Sequence, residues 1–101
     1  MGYARVKPKR LAEKLLQIRE RFGLSQNGML RRLGLSDELT RGNVSEFETG
    51  RREPSLPVLL KYARGSGVPM ETLVDDELDL PTALPGRARQ EQTARRNNRK
   101  E

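Results

Sequence analysis

The order of helix signals between Leu24 and Leu56 decides the fold. This stretch reads LSQNGMLRRLGLSDELTRGNVSEFETGRREPSL. Ser25 is a favourable N-cap for one helix, and Gly34 is suited to end that helix in the left-handed conformation. A second start signal, Thr40, and a second stop signal, Gly50, follow. The stretch therefore predicts two short helices followed by a basic exit loop.

Apolar residues recur at helical spacing before this stretch. They follow one another at steps of four, three and four residues, which places them on one face of an amphipathic helix ending at Gly23. These residues are Leu11, Leu15, Ile18 and Phe22. In the two helices of the central stretch, the residues expected to face inward are Met29, Leu30, Leu33, Val44 and Phe47.

Two more helices are predicted after the exit loop. Ser55 is the expected N-cap of the fourth, and Pro57 is tolerated because a first helical turn needs no amide donor. The apolar face expected for this helix consists of Leu56, Leu59, Leu60 and Ala63. Gly65 and Gly67 are expected to break the chain before a fifth short helix containing Met70, Leu73 and Val74. The sequence thus predicts an all-α fold, a compact four- to five-helix bundle with a flexible basic tail.

The composition excludes several kinds of site. Neither cysteine nor histidine occurs among the 101 residues, so the chain has no disulfide, no thiolate or imidazole metal site and no histidine base. Paired carboxylates and phosphate-binding loops are missing at useful spacing, so we predict a protein that is not an enzyme and needs no cofactor or metal. No apolar run approaches membrane-spanning length, which predicts a cytoplasmic protein without a membrane partner.

The net charge of +6 is unevenly distributed along the chain. Three consecutive blocks carry +7, −5 and +4, over residues 1–70, 71–81 and 82–101. A basic domain attracts nucleic acid through counterion release, whether or not it reads sequence, although an ordinary soluble surface is the alternative interpretation. We predict a flexible basic arm, a folded domain and a disordered basic tail, over residues 1–9, 10–80 and 81–101.

In the order of these signals the chain resembles the helix-turn-helix family of the phage repressor and Cro proteins, also called the xenobiotic-response-element family. The resemblance covers Leu11 to Val74. It implies a lambda-repressor-like fold whose third helix enters the major groove of double-stranded DNA. It also implies a sequence-specific transcriptional regulator, typically a repressor, that binds an inverted repeat as a homodimer with half-sites about 34 Å apart.

The outward positions at the start of the third helix are the candidates for base contacts, because they lie opposite Val44 and Phe47. Arg41 can present its guanidinium group to guanine, Asn43 can pair with adenine or a phosphate, and Glu46 can accept a hydrogen bond from cytosine. In the alternative interpretation, Arg41 and Asn43 hold phosphate only. Glu46 would then repel unsuitable DNA rather than read a base.

The resemblance also implies residues that position the domain. Contacts with the DNA backbone are expected from Gln26, Thr40, Ser45, Thr49, Arg51 and Arg52. Gln26 is further expected to brace the third helix. Glu48 matches a family position whose carboxylate pairs with an arginine of the first helix, and Arg19 occupies the matching place. We therefore expect a structural ion pair between Arg19 and Glu48. If the pair is shielded from water, removal of one partner is costly, because the other charge is left uncompensated.

The chain departs from the family pattern in two places. Residues Leu35 to Leu39 lengthen the turn between the two motif helices, and Leu30 replaces the small residue usual at their approach. We hypothesise that these departures compensate each other, because a bulkier side chain separates the helices and a longer turn spans the gap.

The sequence also allows a second function. An antitoxin could bind a protein partner through residues 81–101 while the domain regulates its own operon, and copurification of a small protein would distinguish this alternative. Candidate dimer contacts are the fifth helix and the acidic stretch Glu71 to Leu80. That acidic stretch could instead meet the basic tail.

Overall fold

The computed structural model describes residues 7–86, and every regular element within that range is an α-helix. The five helices are α1 (Leu11–Phe22), α2 (Gln26–Leu33), α3 (Arg41–Thr49), α4 (Leu56–Ser66) and α5 (Met70–Val74). The all-α bundle predicted from the sequence is confirmed. Most of the predicted arm and most of the predicted tail, residues 1–6 and 87–101, lie outside the described residues.

The predicted start and stop signals of α2 and α3 act through local backbone geometry. Ser25 Oγ accepts a hydrogen bond from the Gly28 amide at 2.9 Å, which satisfies one of the free donors in the first turn of α2. Gly34 and Gly50 follow α2 and α3 with φ angles of 72° and 78°, a region that L side chains rarely adopt. The predicted boundaries of both helices are therefore confirmed.

The core forms where α1 packs against α3 and α5, while α2 packs against α3 and α4. The predicted inward face of α1 is confirmed, since its four apolar residues are all buried. The inward residues predicted for α2 and α3 are buried as well, namely Met29, Leu30, Leu33, Val44 and Phe47. Each such side chain contributes about 1.5–3 kcal/mol by leaving water, so this shared core holds α3 against the rest of the bundle.

The long turn between α2 and α3 is ordered. The Leu35 amide donates to the Leu30 carbonyl oxygen at 2.9 Å, and the Leu35 carbonyl oxygen accepts from the amides of Glu38 and Leu39. Leu30 and Leu35 are buried, and Leu39 packs against the core from its edge. Leu30 and the turn therefore pack into the same core, and the compensation hypothesis, which concerns the separation of α2 and α3, stays a prediction.

The apolar face predicted for α4 is wrong at two positions. Leu59 and Ala63 are buried as expected, but Leu56 is 71% exposed and Leu60 is 38% exposed. Tyr62 is fully buried instead, and Ser66 completes the inward face. At about 100° per residue, a face centred between Leu59 and Tyr62 leaves Leu56 and Leu60 at or beyond its margin.

The break predicted at Gly65 is also wrong, because α4 continues through it and ends at Gly67. A Cβ atom at Gly65 would lie 3.1 Å from Leu33 Cδ2, which is tighter than ordinary packing. Gly65 therefore allows α2 to approach α4 closely, and its role is in packing rather than in chain reversal.

Lys14 is a charged residue buried in the core, and the sequence analysis did not select it. Its Nζ atom donates to the carbonyl oxygens of Thr72 and Asp75 at 2.8 and 2.9 Å, at the end of α5. Burial lowers the pKa of Lys14. A cation near carbonyl groups that lack helical partners is favourable, so Lys14 anchors α5 to α1.

Asp76 binds the backbone just before α1 from a distant part of the chain. Its carboxylate accepts hydrogen bonds from the backbone amides of Lys9 and Arg10 at 2.9–3.0 Å. The Arg10 side chain also donates to the Asp76 carbonyl oxygen and to Asp79. Part of the acidic stretch proposed for dimer contact therefore makes hydrogen bonds within the monomer. Lys9, which belongs to the predicted flexible arm, is held by the bonds from its backbone N–H to Asp76.

We expect Asp76→Asn to lower the melting temperature at pH 7, because the amide replaces a charged acceptor that binds two backbone N–H groups. These hydrogen bonds hold the pKa of Asp76 below its usual value. The stabilisation is therefore present above the unfolded-state pKa of about 4 and disappears as the pH falls through the lower folded-state value. Thermal melts followed by circular dichroism at pH 7 and pH 2 should show the difference from wild type shrinking in acid.

Asp79→Asn is the matched control for this prediction. Its side chain is 81% exposed and pairs with Arg10 at 2.6 Å, so its removal should change the melting temperature little. Equal melting temperatures for Asp76→Asn and wild type at pH 7 would contradict a stabilising role for the hydrogen bonds of Asp76.

The packed unit continues beyond residue 80, where the folded domain was predicted to end. Leu84 and Gly86 are buried, and Arg32 Nη2 donates to the carbonyl oxygens of Gly65 and Gly86 at 2.8 and 3.0 Å. The Arg32 guanidinium also lies 4.1 Å from the ring centroid of Phe22. A Cβ atom at Gly86 would clash with the carbonyl oxygen of Gly65. Residues 81–86 are therefore part of the bundle surface.

Candidate nucleic-acid interface

The amino end of α3 is held by a reciprocal pair of hydrogen bonds. Thr40 Oγ1 accepts a hydrogen bond from the backbone N–H of Asn43 at 3.3 Å. In return, Asn43 Oδ1 accepts one from the backbone N–H of Thr40 at 3.0 Å. Thr40 was expected to cap this helix, but the second bond was not foreseen, because such boxes usually have Glu or Gln in the position of Asn43. Asn43 therefore organises the helix start in addition to any contact outside the domain.

The first turn of α3 points away from the bundle. Arg41 and Gly42 are exposed, whereas Val44 and Phe47 on the opposite side are buried. The exposed edge also carries backbone N–H groups and the positive end of the helix dipole, which suit a negatively charged partner. Arg41 is thus free of the core and lies at the leading end of the helix.

Glu46 makes contacts on the outer face of α3. Its Oε1 atom lies 3.4 Å from Arg52 Nε and accepts from Asn43 Nδ2 at 3.4 Å. The two charged side chains are 60% and 39% exposed for Arg52 and Glu46, so solvent screens the pair. Glu46 therefore links two residues predicted to contact DNA and partly offsets their charge.

The carboxyl end of α3 presents the basic exit loop. The amides of Arg51 and Arg52 donate to the Glu46 carbonyl oxygen, while both side chains are exposed. Thr49 is exposed as well, and its hydroxyl donates to the carbonyl oxygen of Ser45 at 2.9 Å. The structure therefore places the predicted backbone-contact residues Ser45, Thr49, Arg51 and Arg52 in one region.

Glu48 lies at the junction of three helices. Arg19 Nε and Nη2 donate to the two Glu48 carboxylate oxygens at 2.7 and 3.0 Å, a two-bond pairing. Gln26 Nε2 donates to Glu48 Oε1 at 3.3 Å, and Arg19 Nη1 donates to the Leu24 carbonyl oxygen. The expected pairing is thus present, and it joins α1, α2 and α3 through side chains.

The surroundings of this ion pair are shielded from water. The exposed side-chain fractions are 18% for Arg19 and 4% for Glu48. Burial raises the pKa of the neighbouring Tyr62 hydroxyl, and the negative charge of Glu48 raises it further. The hydrogen bond to Glu48 likewise raises the pKa of Arg19. Both members of the pair are charged, and each depends on the other for compensation.

Two cationic residues that the sequence analysis did not select also lie beside α3. Lys7 lines a cleft with Arg51 and Arg52 at the carboxyl end of the helix. Arg31 lines a groove with Arg41 at the amino end. Lys7 could not be found from sequence spacing, since the chain between Lys7 and Arg51 passes through three helices.

No cluster of three or more His, Cys, Asp or Glu side chains within residues 7–86 could hold a metal ion. No helix in the same range is both long and apolar enough to cross a membrane.

The chain belongs to the helix-turn-helix domain family, because the model of that family matches residues 10–76. This match spans all five helices and the long turn. No curated protein and no solved structure matches the chain. Membership of this family indicates a DNA-binding regulator, with α2 and α3 as the two helices of the motif.

Proposed function

We propose that this protein is a sequence-specific transcriptional regulator that inserts the amino end of α3 into the major groove. In this proposal Arg41, Asn43 and Glu46 face the bases, and the protein represses transcription by occupying its site. The role requires no catalysis or cofactor, in keeping with a chain that contains neither histidine nor cysteine. A cytoplasmic place of action is part of the proposal.

The proposal depends on one observation. The first turn of α3 is exposed, while the opposite face of the helix is buried in the core. Arg41 and Gly42 project from the surface, while Val44 and Phe47 fix the helix from behind. A recognition helix must present side chains near its amino end to base edges without unfolding from the domain. This arrangement supports major-groove insertion over a purely electrostatic contact with DNA.

Selection from a random pool of DNA duplexes tests the proposal. The full chain should enrich one short motif, whereas a protein that only neutralises phosphates should enrich none. The selection is done at two salt concentrations, since higher salt suppresses nonspecific binding. Failure to enrich any motif at either concentration would overturn sequence-specific regulation.

The proposed assembly is a homodimer on an inverted repeat. Two recognition helices that face the same side of DNA require half-sites about one helical turn, roughly 34 Å, apart. Leu60 and Val74, on α4 and α5, are 38% and 37% exposed and would supply apolar contact between protomers. An enriched motif with two inverted halves, and a two-to-one complex in sizing experiments, would support the dimer; a single half-site bound by one chain would contradict it.

We expect Glu46→Gln to raise affinity for mixed-sequence DNA severalfold and to weaken the preference for cytosine at one position of the motif. The carboxylate repels phosphates and pairs with Arg52 at 3.4 Å, so its neutralisation releases a cation for the DNA backbone. Fluorescence anisotropy with a labelled duplex measures the affinity, and repeated selection measures the preference. An unchanged preference at every position would show instead that Glu46 repels unsuitable DNA and reads no base.

Partner binding through residues 81–101 is the alternative function. Leu84 is the one large apolar side chain of that segment, and it is buried within the bundle. An antitoxin tail needs exposed apolar side chains to anchor a partner, so this burial favours the regulator alone. Stoichiometric copurification of a small protein, abolished by deletion of residues 87–101, would reverse this preference.

A further inference from the structure

Cationic clusters lie at both ends of α3. The carboxyl-end cluster consists of Lys7, Arg51 and Arg52, which line one cleft beside Gly50. The amino-end cluster consists of Arg31 and Arg41, which line one groove between α2 and the turn. All five side chains belong to exposed residues. Only Arg41, Arg51 and Arg52 are accounted for by the proposed function, which leaves Lys7 and Arg31 without a role.

The separation of the clusters matches the dimensions of DNA. A helix of nine residues such as α3 is about 14 Å long at 1.5 Å per residue. The major groove of B-form DNA is about 12 Å wide, and a phosphate strand borders it on each side. With α3 oriented across the groove, its two ends bring Lys7 and Arg31 towards different bordering strands.

We propose, on the basis of the DNA binding proposed above, that Lys7 and Arg31 bind phosphates on opposite strands, one at each edge of the major groove. Arg31 does so from the amino end of α3, and Lys7 does so beside Arg51 and Arg52. These contacts fix the depth and direction of α3 in the groove. They carry no sequence information, because phosphates are the same at every position.

The acidic groups nearby are consistent with this arrangement. The amino-end groove has no acidic residue among those that line it. The carboxyl-end cleft has one, Glu53, and Glu46 pairs with Arg52 at its edge. Three cations therefore face two carboxylates at that end, so removal of the Lys7 charge cancels the local positive excess.

The test measures how DNA affinity depends on salt for Lys7→Ala, Arg31→Ala and the double variant. The slope of log affinity against log salt should flatten by about 0.9 for each phosphate that a variant no longer neutralises, and by about 1.8 in the double variant. Measurements use both the enriched motif and a mixed-sequence duplex, so that the result does not require a preferred site. The enriched motif should stay the same in every variant.

Lys61→Ala is the matched control. Lys61 is an exposed cation of α4 that lines neither the cleft at the carboxyl end of α3 nor the groove at its amino end. Its removal should leave the salt slope unchanged. Melting temperatures measured for all variants identify any loss of folding.

An unchanged salt slope in either single variant would overturn the phosphate contacts on both strands, as would a flattening of equal size in Lys61→Ala. These outcomes are separable from failure of the proposed function. Suppose the wild-type chain enriches a motif, but Lys7→Ala and Arg31→Ala have the wild-type salt slope. The regulator proposal then stands, and the phosphate contacts of Lys7 and Arg31 are ruled out. If no motif is enriched but both slopes flatten on mixed-sequence DNA, the phosphate contacts stand and sequence-specific regulation fails.

Discussion

Glu48→Ala should lower the free energy of unfolding by about 3 kcal/mol or more, because it leaves the Arg19 guanidinium group shielded from water without its counter-charge. Two of the three hydrogen bonds from that guanidinium group go to Glu48, at 2.7 and 3.0 Å. Gln26 also loses its acceptor. Urea denaturation of the wild-type chain and the variant measures the difference.

The exposed pair between Glu46 and Arg52 provides a matched control on the same helix. Its members, Arg52 and Glu46, are 60% and 39% exposed, so Glu46→Ala should cost at most about 1 kcal/mol. The double variant Arg19→Met with Glu48→Leu should be less destabilised than the sum of its single variants, since it leaves neither charge unpaired. Equal effects of Glu48→Ala and Glu46→Ala would contradict a shielded, structural ion pair.

The loss of Glu48 should also weaken DNA binding. Its carboxylate connects α3 to α1 and α2 through Arg19 and Gln26. Without it, α3 keeps its core packing through Val44 and Phe47. It loses the hydrogen bonds that we expect to fix its orientation relative to α1 and α2. Binding assays at a temperature where the variant remains folded separate this effect from global unfolding.

Arg41→Ala should abolish the preference for one base pair in the enriched motif. A guanidinium group that binds guanine through two hydrogen bonds contributes about 1–3 kcal/mol of discrimination, or about 5- to 150-fold in relative affinity. Arg41 is exposed at the first position of α3, so the substitution should leave the fold intact. Selection with the variant should return the wild-type motif with one position relaxed.

Arg51→Ala is the matched comparison for Arg41→Ala. Both variants remove one exposed arginine near α3, but Arg51 lies beyond the stop residue Gly50 and is expected to contact phosphate only. Arg51→Ala should weaken binding to all duplexes uniformly and keep the motif. If Arg41→Ala behaves in the same way, Arg41 positions the domain and does not read a base.

Local signals predicted the helix boundaries well, because caps and glycine stops act within a few residues. Thr40 and Gly50 bracket α3 through hydrogen bonds and a left-handed φ angle that depend on neighbouring backbone alone. Periodicity likewise predicted the buried face of α1. Prediction failed for Leu56 and Leu60 because the rotation of α4 depends on how it meets its neighbours.

The candidate interface divides in the same way. Arg41, Arg51 and Arg52 were identified from their places around α3, and the family resemblance supplied the partner of Glu48. The reciprocal cap by Asn43 was missed because amide side chains of this length are less usual at that position than Glu or Gln. Lys7 and Asp76 were missed because each acts on residues that are distant in the chain.

The amino-acid sequence by itself determined where the five helices lie, which way α1 to α3 turn their apolar faces and that the chain carries excess positive charge. Those properties depend on local backbone preferences and on composition. Only the tertiary structure decided that Asp76 binds the backbone before α1, that α4 turns Tyr62 inward and that Lys7 lies beside Arg51. These contacts join residues that come together only after the helices pack, so spacing along the chain does not encode them.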